Sequence, residues 1–185
     1  MQARRSSCRW RCARSRAVLP SDLRLWLTDE GSLTARIRAR CDDFSVRVLR
    51  QGAGAVLRDE CEVLGLRPGR RSLAREVLLM AGGTPVVFAR TVLPQIHPRG
   101  AWRLLRGIGS RPLGAALFSD PGIERCPLAT ASLDWRDARY HRAVETGAVA
   151  GRPARLWARR SVFRQNGQPL LVTEVFLPAI SALYR

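Results

Sequence analysis

The residues best placed to do chemistry are a few charged side chains set inside apolar runs. Glu174 is the sole acid in LLVTEVFLP, residues 170–178. A carboxylate in such surroundings is either paired or has its pKa raised. Glu174 is therefore a structural partner for Arg159 or a functional acid, and perturbed buried acids do cluster at functional sites. Arg75 and Arg90 stand in LAREVLLMA (73–81) and TPVVFARTVLP (84–94). Like charges directly across a strand ladder are destabilising, so two facing arginines make sense if a carboxylate or phosphate ligand lies between them. The alternative is that Arg75 pairs with Glu60, Glu62 or another structural acid while Arg90 reaches solvent, and a one-residue register slip would separate the two. In RPLGAALF, residues 111–118, free backbone amides around Leu113 and Gly114 could hold a carboxylate at a helix start, although such a stretch is also an ordinary helix start. His141 lies among charged residues with no nucleophile or acid at a motif spacing, and is read as exposed rather than catalytic.

Two hairpins must position these groups. Gly82-Gly83 is a two-residue turn signal between the runs bearing Arg75 and Arg90, and it predicts the pairs Leu79–Val86, Val77–Phe88 and Arg75–Arg90. Asn166-Gly167 is a type I′ signal that pairs Phe163 with Leu170, Ser161 with Val172 and Arg159 with Glu174. Alternation over 44–50 predicts a strand ended by Gly52 and Gly54, and 60–66 reads as another strand before the turn-rich RPGRR. Leu23, Trp26 and Leu27 fit a short helix; Ser32 can cap a second one carrying Leu33, Ile37 and Cys41. His97, Pro98 and Gly100 mark a loop, 102–108 has a short helical spacing, and Pro112 suits a first helical turn. The mixed stretch 119–153 is left unassigned. The sheet is antiparallel, with helices over one side.

At 185 residues with 46% hydrophobic content, one domain with its own core is expected. Residues 1–17 are basic and aperiodic and are read as a disordered segment; residues 18–185 form the domain. No apolar run reaches the roughly 20 residues of a membrane span and no signal-peptide core is visible, so a cytoplasmic protein is expected. Five cysteines (Cys8, Cys12, Cys41, Cys61 and Cys126) show no metal-ligand or redox spacing. The formal charge of +17 comes with 32 basic residues, every one an arginine. This uniformity looks like codon bias, and no helix-turn-helix, zinc-finger or RNA-binding signature accompanies it. No specific nucleic-acid partner is expected, although non-specific adhesion at low salt is.

Three blocks, LAREVLLMAGGTPVVFARTVLP, RPLGAALF and RRSVFRQNGQPLLVTEVFLP, in this order and spacing, resemble the chorismate lyase family. The resemblance runs from about Pro20 to the C-terminus. It implies an α+β fold with a single antiparallel six-stranded sheet, covering helices and flap-like segments over an internal ligand cavity. It also implies conversion of chorismate to 4-hydroxybenzoate and pyruvate for ubiquinone synthesis, with no cofactor or metal; separately, a monomer is expected. Carried over residue by residue, Arg75 would hold the ring carboxylate, Glu174 would contact the ring hydroxyl, and Leu113 would bind the carboxylate through its amide. Leu33 stands where the family often has methionine and would act mainly through its backbone; Arg90 matches a family arginine on the neighbouring strand. Ala89 stands where some relatives have glycine, the 119–153 stretch looks longer than in compact relatives, and the Arg-rich start has no counterpart in them. A non-catalytic aromatic-acid sensor of the same fold is the competing reading, because ligand-binding domains of some transcription regulators share this kind of sheet.

Overall fold

The computed structural model describes residues 10–12, 19–96, 100–149 and 151–183. Of the segment 1–17 read as unstructured, 1–9 (with Cys8) and 13–17 lie outside the described residues, as do His97 and Pro98 of the expected loop. Trp10–Cys12 is ordered against the sheet.

Among the described residues, eight strands and five helices follow in chain order: β1 (Arg11–Cys12), α1 (Arg24–Thr28), α2 (Leu33–Arg38), β2 (Phe44–Ala55), α3 (Arg58–Leu64), β3 (Arg71–Ala81), β4 (Thr84–Leu93), α4 (Leu113–Ser119), β5 (Glu124–Arg125), β6 (Ala129–Leu133), α5 (Ala138–Glu145), β7 (Leu156–Gln165) and β8 (Gln168–Phe176). Short 3-10 helices occupy Gly100–Arg106 and Pro178–Leu183. The strand order is β1-β6-β7-β8-β4-β3-β2, with β5 beside β7, and every pairing is antiparallel. Six long strands thus form the expected sheet, and the two-residue β1 and β5 extend it. Strands β5 and β6 and helix α5 fall in the stretch left unassigned from sequence; His141 on α5 is exposed.

The C-terminal hairpin forms in the predicted register, Phe163 with Leu170, Ser161 with Val172 and Arg159 with Glu174. Asn166 (φ 50°) and Gly167 (φ 74°) adopt the left-handed conformations that the turn needs. The central hairpin does not keep its predicted register. Ala81 faces Thr84 and Met80 faces Pro85, but the ladder then shifts and Leu79 faces Val87, leaving Val86 as an extra residue. Pro85 has no N–H to donate, and strand prolines settle at bulges for that reason. The one-residue shift sets Arg75 opposite Thr91 and Arg90 opposite Glu76. Because side chains alternate along a strand, the two arginines emerge on opposite faces, which excludes a ligand held between them.

Two other expectations are corrected. Residues 60–66 do not form a strand: α3 occupies Arg58–Leu64, with Asp59 and Glu60 in its first turn, Glu60 accepting from the Leu57 amide at 2.9 Å, and Gly65 (φ 66°) closing its C-terminus. Gly52 and Gly54 do not end β2, which runs on to Ala55; Gly54 lets β2 approach β3, since a Cβ there would stand 3.2 Å from the Ala74 methyl.

Each face of the sheet has its own cover. On one side Trp26 and Leu27 of α1, Leu33 and Ile37 of α2, and Ile180 pack on Val77, Leu79, Val87, Ala89 and Phe176. Trp102, Leu105, Ile108, Leu113 and Leu117 continue this layer over Leu93, Phe163 and Leu170. The reverse side is covered by Tyr140 and Ala143 of α5 and by Leu64 of α3. Between these apolar patches lies the ladder row Glu76–Arg90–Thr173–Arg160. Arg90 is 2% exposed and donates to Glu60 (2.8 and 3.1 Å), Glu76 (2.6 Å) and the Ala55 carbonyl (2.8 Å). Arg139 grips Asp137 through two nitrogens, and Asp59 accepts from Arg139, Arg160 and the Trp10 indole, each at 2.8–2.9 Å. Trp10 also lies under the Arg160 and Arg139 guanidinium groups, which ties the N-terminal strand to this network.

Asp59 supplies a pH test of that network. Burial alone would raise its pKa, but the charge and hydrogen bond of Arg139, the charge of Arg160 and the Trp10 hydrogen bond outweigh burial and hold it below the ordinary carboxyl value. Its stabilisation is present above the unfolded carboxyl range and is lost as pH falls through the depressed folded value. Urea unfolding as a function of pH should show stability declining below about pH 4. Asp59→Asn should be less stable at pH 7 and lose less on acidification.

A second test concerns the contact of α2 with α4. A Cβ on Gly114 would meet Thr34 Oγ1 at 3.0 Å and Ser32 Oγ at 3.3 Å. Gly114→Ala gains up to about 1 kcal/mol of helix propensity but closes on buried Thr34. In a double-mutant cycle read by urea unfolding, Thr34→Ala should rescue Gly114→Ala with a coupling of about 0.5–3 kcal/mol.

Candidate functional site

The bulge and the C-terminal hairpin together compose the inner wall of a cavity. Two rows of register partners cross the sheet on the α1–α2 side: Arg75–Thr91–Val172–Ser161, and Val77–Ala89–Glu174–Arg159. All eight line one cavity whose empty volume, open solvent at its mouth included, is about 610 Å³, and Leu33 and Thr34 of α2, Pro112, Leu113, Gly114, Leu117 and Phe118 at α4, and Arg125 of β5 also line it. Four of the five residues singled out from sequence, Leu33, Arg75, Leu113 and Glu174, therefore meet at one place. Arg90 does not: it lies on the reverse face, in the ion-pair network.

Arg75 is buried, 4% exposed, and its hydrogen-bond acceptors are uncharged: Gln51 Oε1 at 3.1 Å and the carbonyls of Gly109 at 2.8 Å and Arg111 at 3.4 Å. Burial draws its pKa below the ordinary arginine value, as expected of a cation taken from water without a neutralising carboxylate. The contrast with Arg90 is informative. There burial also favours the neutral form, yet the hydrogen bonds and charges of Glu60 and Glu76 prevail and raise the pKa.

Glu174 and Arg159 form the ion pair that the hairpin register predicts, Arg159 Nε to Glu174 Oε2 at 2.6 Å. Arg159 is held from behind, donating to the carbonyls of Trp26 and Asp29 at 2.8 Å each. Both reach the cavity, so pairing and participation in the site are not alternatives here. Near the α4 end, Pro112 is the N-cap of α4 and gives its first-turn amides no side-chain acceptor. On α2, by contrast, Ser32 accepts from the Ala35 amide.

Sequence reasoning did not find Arg125. It sits in the two-residue β5, inside the stretch left unassigned, where no periodicity could signal it. Thr91 was missed through the register slip, which had put Arg90 in its place. Among the described residues no three His, Cys, Asp or Glu side chains are grouped to hold a metal, and no helix is long and apolar enough to cross a membrane. The cavity is thus an apolar chamber with three arginines, one glutamate and three hydroxyl side chains on its walls, suited to a planar acid held at its carboxylate by charge and at its ring by apolar contact.

The family profile described as chorismate lyase matches residues 5–185. A protein of Azoarcus sp. named "Probable chorismate pyruvate-lyase" is 65% identical over 164 residues, covering 87% of this chain and 86% of that protein. One of the same name from Aromatoleum aromaticum is 57% identical over 183 residues, covering 99% of each. Among solved structures, PhnF from Mycobacterium smegmatis superposes with a TM-score of 0.58 at 19% identity, covering 81% of this chain and 65% of that one. The effector domain of the same protein gives 0.53 at 20% identity, covering 80% and 89%. At such identities these two share the fold alone, whereas the sequence matches span nearly the whole chain: it belongs to the chorismate lyase family.

Proposed function

We propose that this chain is a chorismate pyruvate-lyase: it eliminates the enolpyruvyl side chain of chorismate as pyruvate and releases 4-hydroxybenzoate, a ubiquinone precursor. It does so as a cytoplasmic monomer with no cofactor and no specific nucleic-acid partner. The observation that carries the reading is a buried arginine that has no carboxylate partner among the described residues and shares one apolar cavity with a glutamate two strands away. Two strand intervals separate the backbones by about 10 Å, which leaves room for a six-membered ring between the two side chains.

The reaction needs little beyond orientation and a place for a proton. The C4–H bond breaks and its electrons complete the aromatic ring. The C3–O bond breaks with its electron pair on oxygen, and the departing enolpyruvate takes a proton at its methylene carbon to become pyruvate. Arg75 binds the ring carboxylate through paired charge-assisted hydrogen bonds, with the Leu33 and Leu113 amides contributing, and this fixes the ring. Glu174 meets the C4 hydroxyl and stabilises charge that develops as the adjacent C–H bond breaks. Arg159 at 2.6 Å keeps that carboxylate aimed.

Purified protein mixed with chorismate, without added metal, should release 4-hydroxybenzoate, followed by absorbance, and pyruvate, followed through lactate dehydrogenase, one for one. Binding of 4-hydroxybenzoate without either product would instead mark a sensor. Arg75→Ala should lower kcat/KM by about 100-fold or more, on the scale of a lost charged pair, and weaken 4-hydroxybenzoate binding alongside it; unchanged kinetics would remove Arg75 from the site. Glu174→Gln should abolish most turnover while 4-hydroxybenzoate affinity stays within about tenfold, the signature of a group acting in the transition state.

A further inference from the structure

Arg125 is a cavity group that the proposed chemistry leaves unused. Its guanidinium lies over the rings of Phe118, at 5.3 Å, and Phe163, at 5.4 Å, and it donates through Nη1 to the Glu30 carbonyl. Its Nε is buried with no hydrogen-bond partner, and among the described residues no carboxylate lies within ion-pair distance of it. Burial, and next the nearby Arg159 cation, draw its pKa down. A guanidinium in this condition is costly unless a ligand completes it.

The cavity's charge gives the reason. Arg75, Arg125 and Arg159 against Glu174 leave a formal excess of two positive charges on its walls. Chorismate carries two carboxylates, one on the ring and one on the enolpyruvyl ether, whereas 4-hydroxybenzoate carries one. Arg75 enters from β3 and Arg125 from β5 beside β7, at opposite ends of the order β3-β4-β8-β7-β5. One cation cannot serve both carboxylates of a ligand lying across these strands. Resting on the chorismate reading, we propose that Arg125 receives the enolpyruvyl carboxylate, making it the residue that distinguishes the dianionic substrate from the monoanionic product. Its planar group, already held against two aromatic rings, is preorganised for the bidentate contact that a carboxylate offers.

The test compares a monocarboxylate with a non-reactive dicarboxylate, 3-(1-carboxyvinyloxy)benzoate, by calorimetry, together with chorismate kinetics, in wild type, Arg125→Ala and Arg125→Lys. In Arg125→Ala, kcat/KM for chorismate should fall and Kd for the dicarboxylate rise by about 30- to 100-fold. Kd for 4-hydroxybenzoate should stay within about threefold, which also shows that the variant is folded, and Arg125→Lys should recover part of the loss. Equal weakening of both ligands would make Arg125 a structural prop, and unchanged dicarboxylate binding would place the second carboxylate elsewhere; either overturns the proposal. Should wild type fail to turn over chorismate, the lyase reading falls by itself, and the difference between the two ligands in Arg125→Ala still decides the role of Arg125. Binding of neither ligand by wild type overturns both.

Discussion

Two arginines on neighbouring strands, Arg75 and Arg90, are buried on opposite faces of the sheet because β4 carries one extra residue at Val86. Much of the molecule depends on that insertion. A side-chain period of two means that a one-residue shift exchanges the faces of everything beyond it. With the shift, Thr91 and Ala89 turn toward α1 and α2 and join Arg75 and Glu174, while Arg90 turns toward α3 and meets Glu60 and Glu76. Without it, Arg75 and Arg90 would be driven together in one chamber, and Glu60, 0% exposed, would be left buried without its strongest partner.

The two faces solve the same problem, how to bury arginine, in opposite ways. On the reverse face Arg90, Arg139, Arg142 and Arg160 meet Asp59, Glu60, Glu76 and Asp137, four cations against four carboxylates, and the hydrogen bonds run on from one pair to the next. A network satisfied in this way specifies its own geometry and has little left to offer a ligand. On the cavity face Glu174 is the sole carboxylate among the described lining residues, set against three arginines. That imbalance persists in the folded chain because uncharged acceptors hold the cations in place.

How legible this was in the sequence varied with how local its causes are. The C-terminal hairpin was readable pair by pair, because Asn166-Gly167 sets the turn and nothing interrupts the ladder, so the Arg159–Glu174 contact followed directly. The central hairpin was readable as a hairpin but not in register: Pro85 announces a possible bulge, yet which residue is extra depends on how Val86 and Val87 pack beneath the α1–α2 layer. The helix over 58–64 carried its own signals, acids in the first turn and Gly65 at the end, and these were outweighed by a short apolar count that suits a strand equally well. Leu33 and Leu113 were placed by resemblance, and the geometry brings them to the same cavity as Arg75 and Glu174. Arg125 had no such help, since a strand of two residues is fixed by its partner β7 and not by its own sequence.

The cavity cations are tethered largely by main-chain oxygens. Arg75 leans on the carbonyls of Gly109 and Arg111, Arg159 on those of Trp26 and Asp29, and Arg125 on that of Glu30. A carbonyl aims a guanidinium without neutralising it, so the charge of Arg75 and Arg125 stays available to a ligand inside a low-dielectric wall, where it acts more strongly than in water, while Arg159 is paired with Glu174. Three of those five carbonyls belong to α1 and the turn after it, where the last helical carbonyls lack intrahelical partners and carry the negative end of the dipole. Helix α1 therefore does more than cover the sheet with Trp26 and Leu27: through Arg159 it sets the orientation of Glu174, and through Arg125 the far end of the chamber. A change at 26–30 that kept the apolar packing but moved these oxygens would be felt first in the aim of the charged groups, not in the stability of the fold.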